Sequence, residues 1–238
     1  MYSFKSRIRY SEVNAQKHLD ISGIIDYFQD CSTFHSEDLG IGIEYLEKHK
    51  RVWMITNWHL KILRLPSLGE EVYINTWPHG FHAMFGYRSF TMTDINGNLI
   101  AAANSIWVLM DTESQRPVRT NSIAIEKYIL EEAFPMEDTP RKLEIPADYT
   151  SKESFQVIRS NLDSNHHVNN GQHIKMAMEY LPPNFHIQEL LVEYKRSAIL
   201  GDTILPQVTL TADKCTIVLA GNDNAPYCIL EFRGNSLN

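Results

Sequence analysis

The chain has 238 residues, 43 % of them apolar, with a formal net charge of −7 and a pI of about 5.8. That length suits one large or two small domains with cores of their own, and the acidic balance argues against a nucleic-acid binder, which would show a basic face. No apolar run approaches the ~18 residues of a membrane helix, and no apolar signal-peptide core follows Met1–Arg7. Three cysteines (Cys31, Cys215 and Cys228) form no CxxC pair, and an odd thiol count suits a reducing compartment. The expectation is a cytoplasmic protein with no membrane and no nucleic-acid partner.

In chain order, Tyr2–Tyr10 alternates as a strand, with Tyr2, Phe4, Ile8 and Tyr10 on one face and Lys5, Arg7 and Arg9 on the other. A polar turn over Ser11–His18 precedes a helix over Leu19–Leu39, spaced through Ile21, Ile24, Ile25, Phe28 and Cys31 and ended by Gly40-Ile-Gly42. A short helix over Ile43–Lys50 leads into strands at Val52–Leu65, Glu71–Trp77, Ala83–Asp94 and Leu99–Met110. Asp94-Ile-Asn-Gly-Asn98 marks a hairpin between the last two. Prolines 117, 135, 140 and 146 then punctuate a charged stretch, read as a surface linker over 113–152 with a short helix near Ala124–Phe134. The second half restarts with a strand at Ser154–Arg159, a polar turn and a helix. Strands follow at Gln188–Ser197, Thr203–Leu210, Thr216–Ala220 and Tyr227–Arg233.

Strand, polar turn, helix and meander thus occur twice. Setting Ser11 on Ser160, 149 residues later, brings Asn14 onto Asp163, Gln16 onto Asn165, His18 onto His167 and Leu19 onto Val168. A helix against an antiparallel sheet, repeated, is an α+β chain of two like domains, 1–112 and 153–238.

The second polar turn is the densest in chemistry. Asp163-Ser-Asn165-His166-His167-Val-Asn169-Asn170 cannot be a core strand, because its amides and imidazoles would be buried without partners. It reads as a turn feeding a helix that carries Ile174, Ala177, Met178 and Leu181 on one face. Asn169 or Asn170 would be the N-cap, and Pro182-Pro183 the stop. A helix start aims N–H groups at this cluster, a place to hold an oxyanion. The plain alternative is a capped, solubilising turn.

The stretch Asn161–Asn170 closely resembles the acyl-acyl-carrier-protein thioesterases, whose second domain carries Asp-x-Asn-x-His-Val-Asn-Asn before its helix. Trp77-Pro-His-Gly80, Gly86-Tyr-Arg88-Ser-Phe90, Asp94-x-Asn-Gly97, Ser105-Ile-Trp107-Val-x-Met110-Asp111 and Arg116-Pro117 resemble that family's first domain and the segment after it. The resemblance runs from about Phe4 to Phe232. It implies tandem hot-dog domains, each a long helix wrapped by a curved antiparallel sheet. It also implies hydrolysis of a fatty acyl thioester to fatty acid and carrier-protein thiol. The carrier protein would be the partner, the first domain would hold the acyl chain, and the set Asp163, Asn165 and His167 would be catalytic. No cofactor and no metal are expected, and a homodimer is left open.

The residues can fill the jobs of thioester hydrolysis. An imidazole, titrating ordinarily at about 6.5, is a base near neutral pH, so His167 is one candidate and Asp163 the other. Asn165 offers an amide to water or carbonyl. The sequence departs from the plant pattern after Glu193-Tyr194-Lys195-Arg196, where Ser197 replaces a Glu that is followed by Cys. Either that carboxylate is dispensable here, or another such as Glu193 substitutes, or turnover is lower. Weaker candidates are a Cys31–His35 nucleophile, a zinc set of Asp163, His166, His167 and His173, and an acyl tunnel lined by Met84, Met92, Met176 and Met178. The densest basic run, Lys48-His-Lys50-Arg51, is a docking candidate for the acidic carrier. An acyl-coenzyme A thioesterase or dehydratase of the same fold, or a silent acyl-binding protein, are the competing functions.

Overall fold

Alternation makes the first strand: in β1 (Tyr2–Arg7) half-buried Tyr2, Phe4 and Ser6 alternate with exposed Ser3, Lys5 and Arg7. The computed structural model describes residues 1–183 and 185–236, in two units, Met1–Asp138 and Thr139–Asn238. The first continues with α1 (Ile21–Asp38), α2 (Ile43–Lys48), β2 (Arg51–Ile62), β3 (Glu71–His82), β4 (Phe85–Asp94), β5 (Leu99–Asp111) and β6 (Arg116–Pro117). Its strands are antiparallel in the order β1-β3-β4-β5-β2, with β6 beside β5.

Helix α1 forms where apolar spacing and capping agree. The Asp20 carboxylate accepts from the Gly23 N–H at 2.9 Å. At the other end Gly40, at φ +66°, turns the chain out of the helix. Its buried stripe, Ile21, Ile24, Ile25, Phe28 and Cys31, packs on β3 and β1. Phe28 meets Trp58 and Phe90, whose ring centroids are 5.1–6.4 Å apart. Each fully buried side chain of this kind contributes about 1.5–3 kcal/mol, which is why the helix lies where it does.

The second unit holds β7 (Thr150–Ser151), β8 (Phe155–Gln156), α3 (Asn170–Met178), β9 (Phe185–Tyr194), β10 (Thr203–Leu210), β11 (Lys214–Ala220) and β12 (Pro226–Ser236). The antiparallel order is β9-β12-β11-β10-β7, with β8 also on β10. Helix α3 lies against β11 and β12.

Several expectations differ from this. The second helix is not long: α3 has 9 residues against 18 in α1. The Tyr180 and Leu181 N–H groups already reach back only three residues, to Ala177 and Met178, and Pro182-Pro183 offers no N–H to continue. The strand expected at 154–159 shrinks to Phe155–Gln156, because the next residues turn into a short 3₁₀ segment, Arg159–Asn161. The segment 113–152, expected as a linker, is docked along much of its course. The Trp77 indole donates to Glu132 O, the Asn104 amide to Phe134 O, and the Phe134 N–H to Ser89 Oγ, so residues up to 138 belong with the first unit. The helix near Ala124–Phe134 is only a 3₁₀ turn at Ile125–Lys127. Beyond it, Leu143 joins the core cluster of Leu191, Val218, Ala220 and Ile229.

Candidate active site

Asp163 builds the turn that carries the candidate residues. Its Oδ1 accepts from the N–H of Asn165 at 2.8 Å and of His167 at 3.2 Å, an Asx turn. Its own N–H donates to His167 O at 2.8 Å, and its carbonyl accepts from the His166 N–H at 3.1 Å. His166 sits at φ +61° to let the chain reverse. Val168 N–H then donates to Ala198 O and Asn169 N–H to Asn161 O, which pins the turn to its neighbours. Asn165 and His166 are exposed, and Asp163 and His167 half-buried. The structure therefore brings Asp163, Asn165 and His167 together in one five-residue turn.

The first unit repeats this backbone. Asn14 Oδ1 accepts from the N–H of Gln16 at 3.0 Å and of His18 at 3.1 Å. Asn14 N–H donates to His18 O at 2.9 Å, and Lys17, at φ +64°, takes the place of His166. Leu19 N–H donates to Pro66 O as Val168 does to Ala198.

The helix start gives a correction. Asn169 is the N-cap, and its side chain takes the Gly171 N–H at 2.8 Å. Its carbonyl accepts from the N–H of Gln172 and of His173. These first-turn N–H groups were the expected oxyanion donors, and they are already bonded. The polar side chains that the turn carries beside these bonded amides are the Asn165 amide and the His167 imidazole.

The alternatives fare differently. Cys31 is buried with its thiol pushed up to about 12 by desolvation. His35 Nδ1 accepts from the Arg88 guanidinium at 3.1 Å. Burial and then the Arg88 charge hold His35 down at about 4. A thiol that resists ionisation beside an imidazole that resists protonation is the reverse of an activated pair. No group of three or more His, Cys, Asp or Glu among the described residues is placed to hold a metal. Glu193 accepts from Leu143 N–H at 2.8 Å and pairs with Lys195 at 2.9 Å. Ser197 is half-buried and precedes Ala198, whose carbonyl holds Val168. In the basic run, Lys50 pairs with Glu113 and Arg51 with Asp111, which leaves less charge for docking than the sequence suggests. Of the methionines, Met92 is fully buried; Met84, Met176 and Met178 are half-buried.

Sequence reasoning gave His173 only a metal role. It is buried in α3, its Nδ1 lies 3.3 Å from Asn169 O, its Nε2 has no partner, and Tyr194 packs edge-on at 5.7 Å. Burial lowers it to about 4, so it is a neutral core imidazole. Its place at the fourth helical residue, within the Ile174 and Ala177 face, was the available signal.

A model of the "Acyl-ACP thioesterase N-terminal domain" matches residues 1–128, and one of the "Acyl-ACP thioesterase C-terminal domain" matches 145–225. The chain belongs to the acyl-ACP thioesterase family. Oleoyl-acyl carrier protein thioesterase 1 of Arabidopsis thaliana is 25 % identical over 234 residues, 89 % of this chain and 64 % of that protein. The chain thus spans less than two thirds of that plant relative. Among solved structures, an acyl-ACP thioesterase from Bacteroides thetaiotaomicron superposes with a TM-score of 0.88 at 19 % identity, over 97 % of this chain and 96 % of that one. An oleoyl thioesterase from Lactobacillus plantarum does so with 0.87 at 24 %, over 100 % and 96 %. At those identities the likeness establishes the fold: two hot-dog units of the thioesterase family, each with its helix on an antiparallel sheet.

Proposed function

We propose that this member of the thioesterase family hydrolyses fatty acyl thioesters of acyl carrier protein, with Asp163, Asn165 and His167 as one catalytic unit in the second hot-dog unit. The observation that carries this is the turn at 163–168, whose backbone amides at 165–169 are bonded within the protein. It supports a reading in which the Asn165 amide and the His167 ring are the groups offered to a substrate. His167 takes a proton from water as it attacks the carbonyl carbon, and Asn165 donates to the carbonyl oxygen as charge builds there. The imidazolium then gives that proton to the departing carrier thiolate as the C–S bond breaks, while the Asp163 carboxylate holds the turn and offsets the imidazolium charge. General-base catalysis contributes about 10²–10⁴-fold and one oxyanion donor about 10²–10³-fold. The first unit holds the acyl chain beneath α1, so Ser32→Leu, which enlarges a buried side chain on that helix, moves preference toward shorter chains.

The test is hydrolysis of a panel of acyl-carrier-protein and acyl-coenzyme A substrates by the wild type and by Asp163→Ala, Asn165→Ala, His167→Ala and the Asp163/His167 double variant. Each single change is expected to cost roughly 10²-fold or more, and the double much less than the product. Wild-type turnover in both His167→Ala and Asp163→Ala, or equal use of both thiol carriers, defeats the proposal.

A further inference from the structure

Beside the turn lies a group of side chains that the fold does not require. Ile158, Ile199 and Leu200 are 58 %, 50 % and 50 % exposed. The backbone fixes them in one place: Val157 N–H donates to Asp202 O at 2.8 Å, Gly201 N–H to Val157 O at 3.0 Å, and Ile199 is bridged to His167. Three aliphatic side chains therefore border the turn that presents Asn165 and His167. Arg159, also exposed, follows Ile158 directly.

The first unit acts as an internal control. Ile8 N–H donates to Glu70 O and Gly69 N–H to Ile8 O, both at 2.9 Å, and His18 is bridged to Ser67. The lacing is the same, but the equivalent positions hold Arg9, Ser67 and Leu68, with Arg9 ion-paired to Glu12 at 3.2 Å. The backbone is therefore satisfied without isoleucine at either place. The two isoleucines occur beside the turn that has the carboxylate; beside the other turn Arg9 and Ser67 take their places, and the leucine alone is common to both. Exposed aliphatic side chains gathered at one place by the backbone are a mark of an interaction surface, where single scattered ones are not.

We infer that Ile158, Ile199 and Leu200, with Arg159 at their edge, seat the carrier protein that delivers the acyl thioester. The contacting face of the carrier is amphipathic: apolar side chains cover the three aliphatic residues, and a carboxylate meets Arg159. This rests on the function proposed above. A thioester tethered to a protein reaches His167 only when that protein sits against the surface around the turn. A chain of net charge −7 repels an acidic partner at long range, so contact falls to apolar area and a local cation. Of the alternative cations Lys48, Lys50 and Arg51, the last two are already paired.

The experiment compares one acyl chain on two thiols, the carrier protein and N-acetylcysteamine. Ile158→Ser and Leu200→Ser are expected to raise KM for the carrier substrate about tenfold while leaving kcat/KM on the small thioester unchanged. Arg159→Glu is expected to raise KM for the carrier substrate and flatten its salt dependence. Unchanged KM in all three overturns the inference. So does a dimer in sedimentation that Ile158→Ser dissociates without moving KM, since the patch would then join two copies of this chain. If the wild type hydrolyses neither substrate, the proposed function fails, and docking is read by calorimetric titration of the carrier protein. Binding weakened about tenfold in Ile158→Ser supports the surface, and equal binding refutes it.

Discussion

The turn at Asp163–Val168 and the turn at Asn14–Leu19 share a pattern of backbone hydrogen bonds and differ in what they carry on it. In both, one side-chain oxygen at the first position accepts two N–H groups, and one residue sits near φ +60°. An amide oxygen does that work in the first unit as well as a carboxylate does in the second. The charge on Asp163 is therefore not needed to fold the turn. Gln16 in place of Asn165 is one methylene longer, enough to misplace an amide by about 1 Å, which can cost about 10²-fold in a positioned site.

The largest expected contrast is between the two histidines. His167→Ala should lower hydrolysis by about 10²–10⁴-fold, while His18→Ala should leave turnover within about twofold. Steady-state rates on a carrier substrate decide it, and abolition of activity by His18→Ala breaks the division of labour.

Next in size is a difference between the helices. His173 occupies in α3 the place that buried Ile24 holds in α1, and burial keeps it neutral, at about 4 against an ordinary 6.5. In the unfolded chain it takes up a proton below about pH 6.5; in the folded protein it does so only below about pH 4. Stability is therefore full above about 6.5, falls as pH drops toward 4, and levels below that, by about 3 kcal/mol from this group. His35, lowered in the same direction, adds to the fall. Urea denaturation of His173→Ile across this range should show a shallower decline than the wild type, and an unaltered decline would remove His173 from the account.

Asp163→Asn is a sharper probe of the turns than any alanine. Asn14 shows that an amide keeps both backbone bonds, so the melting temperature should hold while the rate falls by about tenfold. Asp163→Ala should lose rate and also about 1–3 kcal/mol of stability, at roughly 0.5–1.5 kcal/mol per hydrogen bond. Full activity in Asp163→Asn would reduce the carboxylate to a scaffold. The smallest effects are at the caps. Asp20→Ala and Asn169→Ala should each cost about 1 kcal/mol, measured by thermal melting.

Much of this was legible because local chemistry and tertiary placement agree. The 149-residue offset of the two turns is a side-chain pattern, and α1 has apolar spacing, a cap and a terminating glycine together. Leu181 misled because it continues the spacing of Ile174, Ala177 and Met178 after the backbone has tightened out of the helix. Strand β3 runs on to His82 through an irregularity between Pro78 and Gly80, where proline and glycine look like an end. The docking of residues 131–134 uses two main-chain carbonyls and two N–H groups, which no side-chain pattern reveals. At the site, Asn169 was legible as a cap candidate, whereas the bonding of the Gln172 and His173 N–H groups by its carbonyl is main-chain and was not.

A turn that closes equally well around an aspartate or an asparagine has a particular mutational neighbourhood. Aspartate and asparagine codons differ by a single base, so a copy with a carboxylate and a copy without one are one substitution apart, and neither step passes through an unfolded intermediate. A duplicated hot-dog unit could in this way lose or regain a charged residue at its turn while the helix it launches stayed in place. A copy without the carboxylate keeps its turn and its helix all the same.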